Sequence, residues 1–378
     1  MSSYIKSLIL NNYRVYESNS FSFLPNINII YGRNGIGKTN ILEAISFLSP
    51  GKGLFNSNIN DVLRITNEKT FNYNWSVFAN VENNDLADTI AVFSESDSGV
   101  LKKKIKINGN SVRSQEELSR AFNVIWLTPE MQNFFNDDKS VRRKFLDRTV
   151  YIIDNQHSSR VAKYEFLLKE RMKVLQDDMK FDKNWLTILE EKIAETGISI
   201  AVARNDIVRH LNRILFNYDF NFPKFTILID GEFENLMLDN ITSLKAEEKF
   251  REILFNNREQ DKESKRTNEG VHKSDLRLFY QNKNIDAQFC STGEQKLFLV
   301  SFTILKALMC KEFNKANPIV LLDEIFSYLD KNRKRELFNE LLKLDIQSFI
   351  TGTDISTFND LLGENTNVID LEKLLSNQ

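Results

Sequence analysis

The spacing of apolar residues changes twice along the chain. The segment FSFLPNINIIYG alternates and then runs continuously apolar before a glycine, so it reads as β-structure ending in a turn, and NILEAISFL reads as the helix that follows. Between residues 71 and 108 the short alternating runs WSVFANV, AVFS and KIKI predict an antiparallel sheet. From about residue 158 the period lengthens. Tyr164, Leu168, Met172, Leu175 and Met179 recur at three and four residues, and Ile193, Ile200, Ile207 and Leu211 continue in a second long helix. Asn256 to Gly270, NNREQDKESKRTNEG, has no large apolar residue and is expected to be a mobile loop. A β-rich segment follows, then a helix from near Thr292, the strand PIVLLDE, a helix over 331–343 and the strand IQSFITGT. The pattern predicts an α/β head built from both ends of the chain, in segments 1–150 and 266–378, with a helical lobe inserted at 151–265.

Composition narrows this picture only slightly. The 378 residues are 42% hydrophobic, enough for a sizeable core, and Lys+Arg 50 against Asp+Glu 52 gives a net charge of -2. Average charge therefore neither favours nor excludes nucleic acid; local patches decide. Two cysteines, Cys290 and Cys310, form no disulfide framework, and His157, His210 and His272 are too isolated in sequence to suggest a metal set. The opening MSSYIKSLIL has no secretory core, and the apolar run from Leu297 to Met309 is broken by Lys306 and too short to span a bilayer. A cytoplasmic location without membrane attachment is expected.

Candidate chemistry starts at Gly32-Arg33-Asn34-Gly35-Ile36-Gly37-Lys38-Thr39, which fits G-x-x-x-x-G-K-[ST] between a strand and a helix. Glycines let the backbone curl until its N–H groups surround phosphate oxygens. Lys38 supplies a point charge, the Thr39 hydroxyl suits Mg²⁺, and the helix running through Asn40 aims its positive end at the anion. A nucleotide such as ATP is the expected ligand. Near the C-terminus the apolar strand PIVLL ends in Asp323 and Glu324, placed respectively to hold Mg²⁺ and to activate a water, and Ser327-Tyr328-Leu329-Asp330 follows.

Ser291-Thr292-Gly293-Glu294 precedes the apolar helix. Two readings stand for it. Ser291 and Glu294 have the spacing of a helix capping box, and a serine hydroxyl, a glycine N–H and a helix N-terminus also make a γ-phosphate receptor. The order of the four motifs is that of ABC-type ATPases, in which one head's S-x-G segment faces the phosphate loop of a second head.

Within that class the chain resembles the RecF family of ABC/SMC-like DNA-repair ATPases. The resemblance rests on Asn11-Asn12-Tyr13-Arg14, on Thr128-Pro129-Glu130 with Arg142-Arg143-Lys144-Phe145-Leu146-Asp147, and on Gly270-Val271-His272-Lys273-Ser274-Asp275. It implies an ABC/SMC-type ATPase head, with a Rossmann-like sheet, an antiparallel β subdomain and an inserted helical lobe. It also implies a recombination mediator of DNA replication, repair and the SOS response. Such a protein binds double-stranded DNA near single-strand junctions as an ATP-gated homodimer, hydrolyses ATP slowly with DNA stimulation, and helps load RecA with RecO and RecR. Arg14, Ser291, Gly293 and Asp330 join the nucleotide set through this resemblance. The chain departs from the family pattern at Glu324, where a second Asp is common, and in lacking a histidine after the last strand, so Thr353 or Asp354 is expected at the switch position. Another short SMC-like ATPase head, or an ABC transporter ATPase subunit, would share the four motifs.

Two basic runs complete the set of candidates. Lys102, Lys103, Lys104, Lys106 and Arg113 carry no intervening acid, and Arg142 and Arg143 lie in a second run. Either the runs are solvated faces or they contact the phosphate backbone of DNA without reading its sequence.

Overall fold

The computed structural model describes residues 4–64, 74–83, 86–97, 100–112, 117–118, 123–177, 183–219, 221–238, 241–314 and 318–376; residues 71–73, Arg113 and Met179 of the expectations above lie outside these. Contacts divide the chain into two compact units, residues 1–131 with 302–378, and residues 132–301.

The first unit holds two sheets. One has five parallel strands in the order Thr366–Asp370, Ile27–Tyr31, Ser348–Gly352, Ile319–Leu322, Val124–Leu127. The central members are buried at every position but Tyr31, which is why INIIY, IVLL and SFITG carry almost no alternation. The other sheet is antiparallel and six-stranded, in the order Tyr16–Ser22, Tyr4–Tyr13, Ser76–Asn83, Leu86–Asp97, Val100–Ile107, Asn110–Ser111. Here one face is solvated and the sequence alternates. Helix Lys38–Ser46 sends Ile41, Leu42, Ala44 and Ile45 into a core shared with Leu8, Leu10, Val77 and Val92 of the antiparallel sheet and Ile30, Leu321 and Phe349 of the parallel one. Buried Gln347 ties the two sheets together, accepting from the Ile5 N–H at 2.8 Å and donating to the Ile5 and Leu24 carbonyls.

The second unit is mainly helical, with a small antiparallel sheet in which Asp275–Tyr280 lies between Phe225–Asp230 and Ile285–Asp286. Its long helices, His157–Gln176 and Lys183–Asn217, pack through Tyr164, Leu167, Leu189, Ile193 and Ile200. The buried stripe of the first helix is Tyr164, Leu167, Arg171, Leu175, one position off the expected Leu168 and Met172.

Arg171 is fully buried, and this explains a correction. The polar stretch 256–270 is no mobile loop but contains helix Arg258–Ser264, whose Asp261 is also fully buried. Arg171 donates to Asp261 (2.7 Å), Glu190 (3.0 Å), Thr267 and the Leu254 carbonyl, so a charge network takes the place of apolar packing. The unit boundary also falls at 131/132 and 301/302, not at 150 and 265. Ion pairs account for the shift: Arg142 of helix Lys139–Tyr151 grips Asp275, and Asp147 of the same helix grips Arg204 in the long helix.

Candidate nucleotide site

Everything in the phosphate-binding half of the site stands at the C-terminal ends of adjacent parallel strands, where open α/β sheets place ligands. Ile27–Tyr31 runs into the glycine loop, and the Gly32 N–H donates to the Gly352 carbonyl at the end of the neighbouring strand, 3.3 Å away. Gly37 has φ 112, and a Cβ there would lie 2.6 Å from the Tyr16 hydroxyl, so no larger residue fits. That hydroxyl donates to the Gly37 carbonyl at 2.9 Å. Arg33, Asn34 and Gly35 are exposed at the crest of the loop, Ile36 leans toward Gly32, and the Asn40 N–H returns to the Gly37 carbonyl. No acidic residue stands in the first turn of helix Lys38–Ser46, so its positive end is not neutralised from within.

Lys38 is buried, and its ammonium donates to the carbonyls of Gly32 (2.7 Å) and Arg33 (3.2 Å). The Glu324 carboxylate lies 3.3 Å from the same Nζ. Asp323 is 4% exposed; the Thr39 hydroxyl donates to its oxygens at 3.0 and 3.1 Å, and the Thr351 hydroxyl at 2.6 Å. Burial pushes the Asp323 carboxyl above its ordinary value and neighbouring Glu324 adds to this, while the two threonine hydroxyls and Lys38 oppose them. Lys38, Thr39, Asp323 and Glu324 are thus brought together from opposite ends of the chain.

Mg²⁺ is bound through one or two protein oxygens together with phosphate and water rather than by an all-protein cage. Thr39 and Asp323 are two hard oxygen donors 3.0 Å apart, and the described residues contain no cluster of three or more His, Cys, Asp or Glu able to hold a metal. The donor set fits an ion that shares its coordination with a nucleotide.

Four members of the expected set, Arg14, Asp330, Ser291 and Gly293, stand outside this group of four side chains. Arg14 has φ 54 and commits its guanidinium to Glu43 (2.6 and 2.8 Å), Ser57 and the Asp61 carbonyl, so it braces the phosphate-loop helix. Asp330 caps helix Lys331–Lys343 by accepting from the Asn332 and Arg333 N–H groups. Ser291 and Gly293 are exposed; Ser291 and Glu294 bond reciprocally as a capping box, and Lys283 holds Glu294 at 2.7 Å. Thr353 and Asp354 are exposed, and Asp354 caps the following turn, whereas Thr351 two residues earlier enters the site. Sequence reasoning passed over Thr351, and also Glu372, whose carboxylate accepts from the Arg33 N–H at 2.9 Å.

The basic runs divide as well. On strand Val100–Ile107, Lys102, Lys104 and Lys106 lie on the exposed face. Lys103 points the other way, donating to the Gly51 carbonyl over the Phe47 ring, and burial lowers its ammonium to about 8. Arg142 is buried, with Asp275 bidentate at 2.6 and 2.9 Å and the Asp137 carbonyl at 2.6 Å. Arg143 donates to the Ser274 carbonyl at 2.7 Å. Arg142 therefore has its guanidinium committed to partners within the protein.

No described helix is long and apolar enough to cross a membrane. The RecF/RecN/SMC N terminal domain family matches residues 4–373. The chain is 36% identical over 363 residues to the DNA replication and repair protein RecF of Mesorhizobium japonicum, covering 96% of this chain and 94% of that one. The solved structure of the recombination mediator protein RecF-ATPrS in the RecFOR pathway superposes with a TM-score of 0.82 at 25% identity, covering 98% of both chains. An Smc head domain from Pyrococcus furiosus shares the fold at a TM-score of 0.51 and 14% identity. With an ABC/SMC-type ATPase head of this architecture and relatives of this likeness, the chain belongs to the RecF family.

Proposed function

We propose that this chain is an ATP-dependent DNA-binding recombination mediator of the cytoplasm, with its ATP held between two heads. The observation that carries the reading is the buried meeting of Lys38, Thr39, Asp323 and Glu324 beside the phosphate loop. Lys38 binds the phosphates once they displace Glu324 and the loop carbonyls from its ammonium. Thr39 and Asp323 would hold Mg²⁺, which supplies charge neutralisation of the phosphates when bound. Glu324, released from Lys38, orients a water and takes its proton. Ser291 and Gly293, exposed at a helix N-terminus, complete the site of a second copy, so ATP gates a homodimer. The relatives' role in DNA repair and the RecFOR pathway points to duplex DNA near single-strand junctions and to RecO, RecR and RecA as the working context, with slow, DNA-stimulated hydrolysis serving release. The face carrying Lys102, Lys104 and Lys106 suits sequence-independent phosphate contact.

Glu324→Gln tests the reading. It keeps shape and removes the base, so ATP binding persists while turnover falls by about a hundredfold or more, and sedimentation with ATP shows a trapped dimer that the added change Ser291→Arg disperses. Normal turnover by the folded Gln variant, or a dimer indifferent to Ser291→Arg, sinks the assignment.

A further inference from the structure

The parallel sheet places strand Ser348–Gly352 between the strand that feeds the phosphate loop and the strand that ends at Asp323. Its register pairs Ile350 with Leu322 and Thr351 with Ile30, so Thr351 stands level with Asp323 where all three strands end. Thr351 is fully buried. Its hydroxyl has one proton, and Asp323 Oδ1 takes it at 2.6 Å. A lone pair on the same oxygen accepts the Glu324 N–H at 2.9 Å. One hydroxyl thereby joins the side chain of one acid to the backbone of the next.

That second bond matters because Glu324 has φ 54, in the left-handed region that a residue with a Cβ seldom occupies. The carboxylate direction of Glu324 follows from this backbone angle, and the angle is held by the fixed Thr351 acceptor. Thr39 orients the Asp323 carboxylate from one side while Thr351 orients it from the other.

We infer that Thr351 is a positioning residue of the nucleotide site, setting the aim of Asp323 and Glu324 together so that the metal-holding and water-activating carboxylates keep one fixed relation. Thr351 acts through these two acids. The inference rests on the nucleotide reading above.

The test compares Thr351→Val, which keeps the shape and loses the hydroxyl, with Thr351→Ser, which keeps the hydroxyl. ATP affinity is measured by titration calorimetry once with Mg²⁺ and once with EDTA, alongside melting temperature and steady-state phosphate release. The Val variant is expected to keep its EDTA affinity within about twofold and to lose most of the affinity that Mg²⁺ adds. Its kcat should drop about ten- to a hundredfold, the range set by losing a buried hydrogen bond to a charged group, with a smaller change in KM. The Ser variant restores kcat and the Mg²⁺ increment. A folded Val variant with wild-type kcat and Mg²⁺ increment overturns the inference. So does a Ser variant as defective as Val with both melting early, which makes the residue a packing element only. A wild-type protein that binds no ATP would bring down the nucleotide reading and this inference with it, whereas wild-type binding beside an unaffected Val variant removes this inference alone.

Discussion

Buried cations serve opposite ends in the two units. In the helical unit Arg204 is 3% exposed and every contact on its guanidinium is internal: Asp147 at 2.8 and 3.0 Å, Glu234 at 2.9 Å and the Val271 carbonyl at 2.7 Å. Burial would push the Asp147 carboxyl up, but His157 and Arg204 outweigh it and hold it at about 2. In the head, Lys38 is almost as buried, yet its partners are two loop carbonyls and a Glu324 whose side chain is 23% exposed. A planar guanidinium locked by two carboxylates is a structural element; a point-charge ammonium on replaceable partners is ready for a ligand. The difference lies in the partners, not in the depth of burial.

The largest expected effect comes from unlocking the helical unit. Arg204→Met leaves buried Glu234 and half-buried Asp147 without their guanidinium and should cost about 3–5 kcal/mol of stability by denaturant unfolding; a loss under about 1 kcal/mol would erase the contrast with Lys38. Next is acid sensitivity in the same unit. His272 donates to the Thr267 carbonyl and accepts from Tyr164, and burial lowers it from 6.5 to about 4. Between those values the unfolded chain binds a proton that the folded one refuses. Stability is therefore complete above pH about 6.5 and falls as pH drops toward 4, by at most about 3 kcal/mol. His272→Gln should flatten unfolding curves across that window, and an unchanged slope would place the titration elsewhere.

Lys38→Met sharpens the other side of the comparison. ATP affinity should fall by about 2 kcal/mol, roughly thirtyfold, through loss of a charged phosphate contact. The ligand-free protein should keep its stability within about 1 kcal/mol, because the partner left behind, Glu324, has a side chain 23% exposed and can be solvated instead of standing buried and unpaired. Calorimetric titration and melting, taken together, separate the two quantities. The smallest effect concerns the surface. Reversing Lys102, Lys104 and Lys106 to Glu should weaken binding to every duplex and flatten its salt slope by about one unit per lost contact, while Lys103→Gln should leave duplex affinity alone. Equal effects from both would show that strand alternation does not sort these lysines.

Legibility followed the distance over which each contact acts. The phosphate loop and the Asp323-Glu324 pair were readable because their chemistry is written in consecutive residues between recognisable elements. Thr351 was not, since its role depends on a parallel register with a strand 28 residues earlier. Arg142 could be read only as a solvated or a DNA-facing base because its partner, Asp275, lies 133 residues away. The polar segment ending at Gly270 looked unstructured because its interior is ionic, made by Asp261 and Arg171. Lys103 could have been separated from its neighbours by period two alone, a signal obscured when the run is counted as a block of charge.

The strand order of the parallel sheet has a consequence for how the protein is born. On the ribosome, Ile27–Tyr31 and Ile319–Leu322 emerge before Ser348–Gly352, the strand that must lie between them. Until that strand arrives, the glycine loop lacks its Gly352 neighbour, Asp323 lacks Thr351, and the sheet has a gap at its centre. A nascent chain can therefore hold the phosphate loop for most of its synthesis without being able to assemble a working site. The head therefore cannot be completed before its last segments are made, since they close contacts that span more than three hundred residues, such as the one between Arg33 and Glu372.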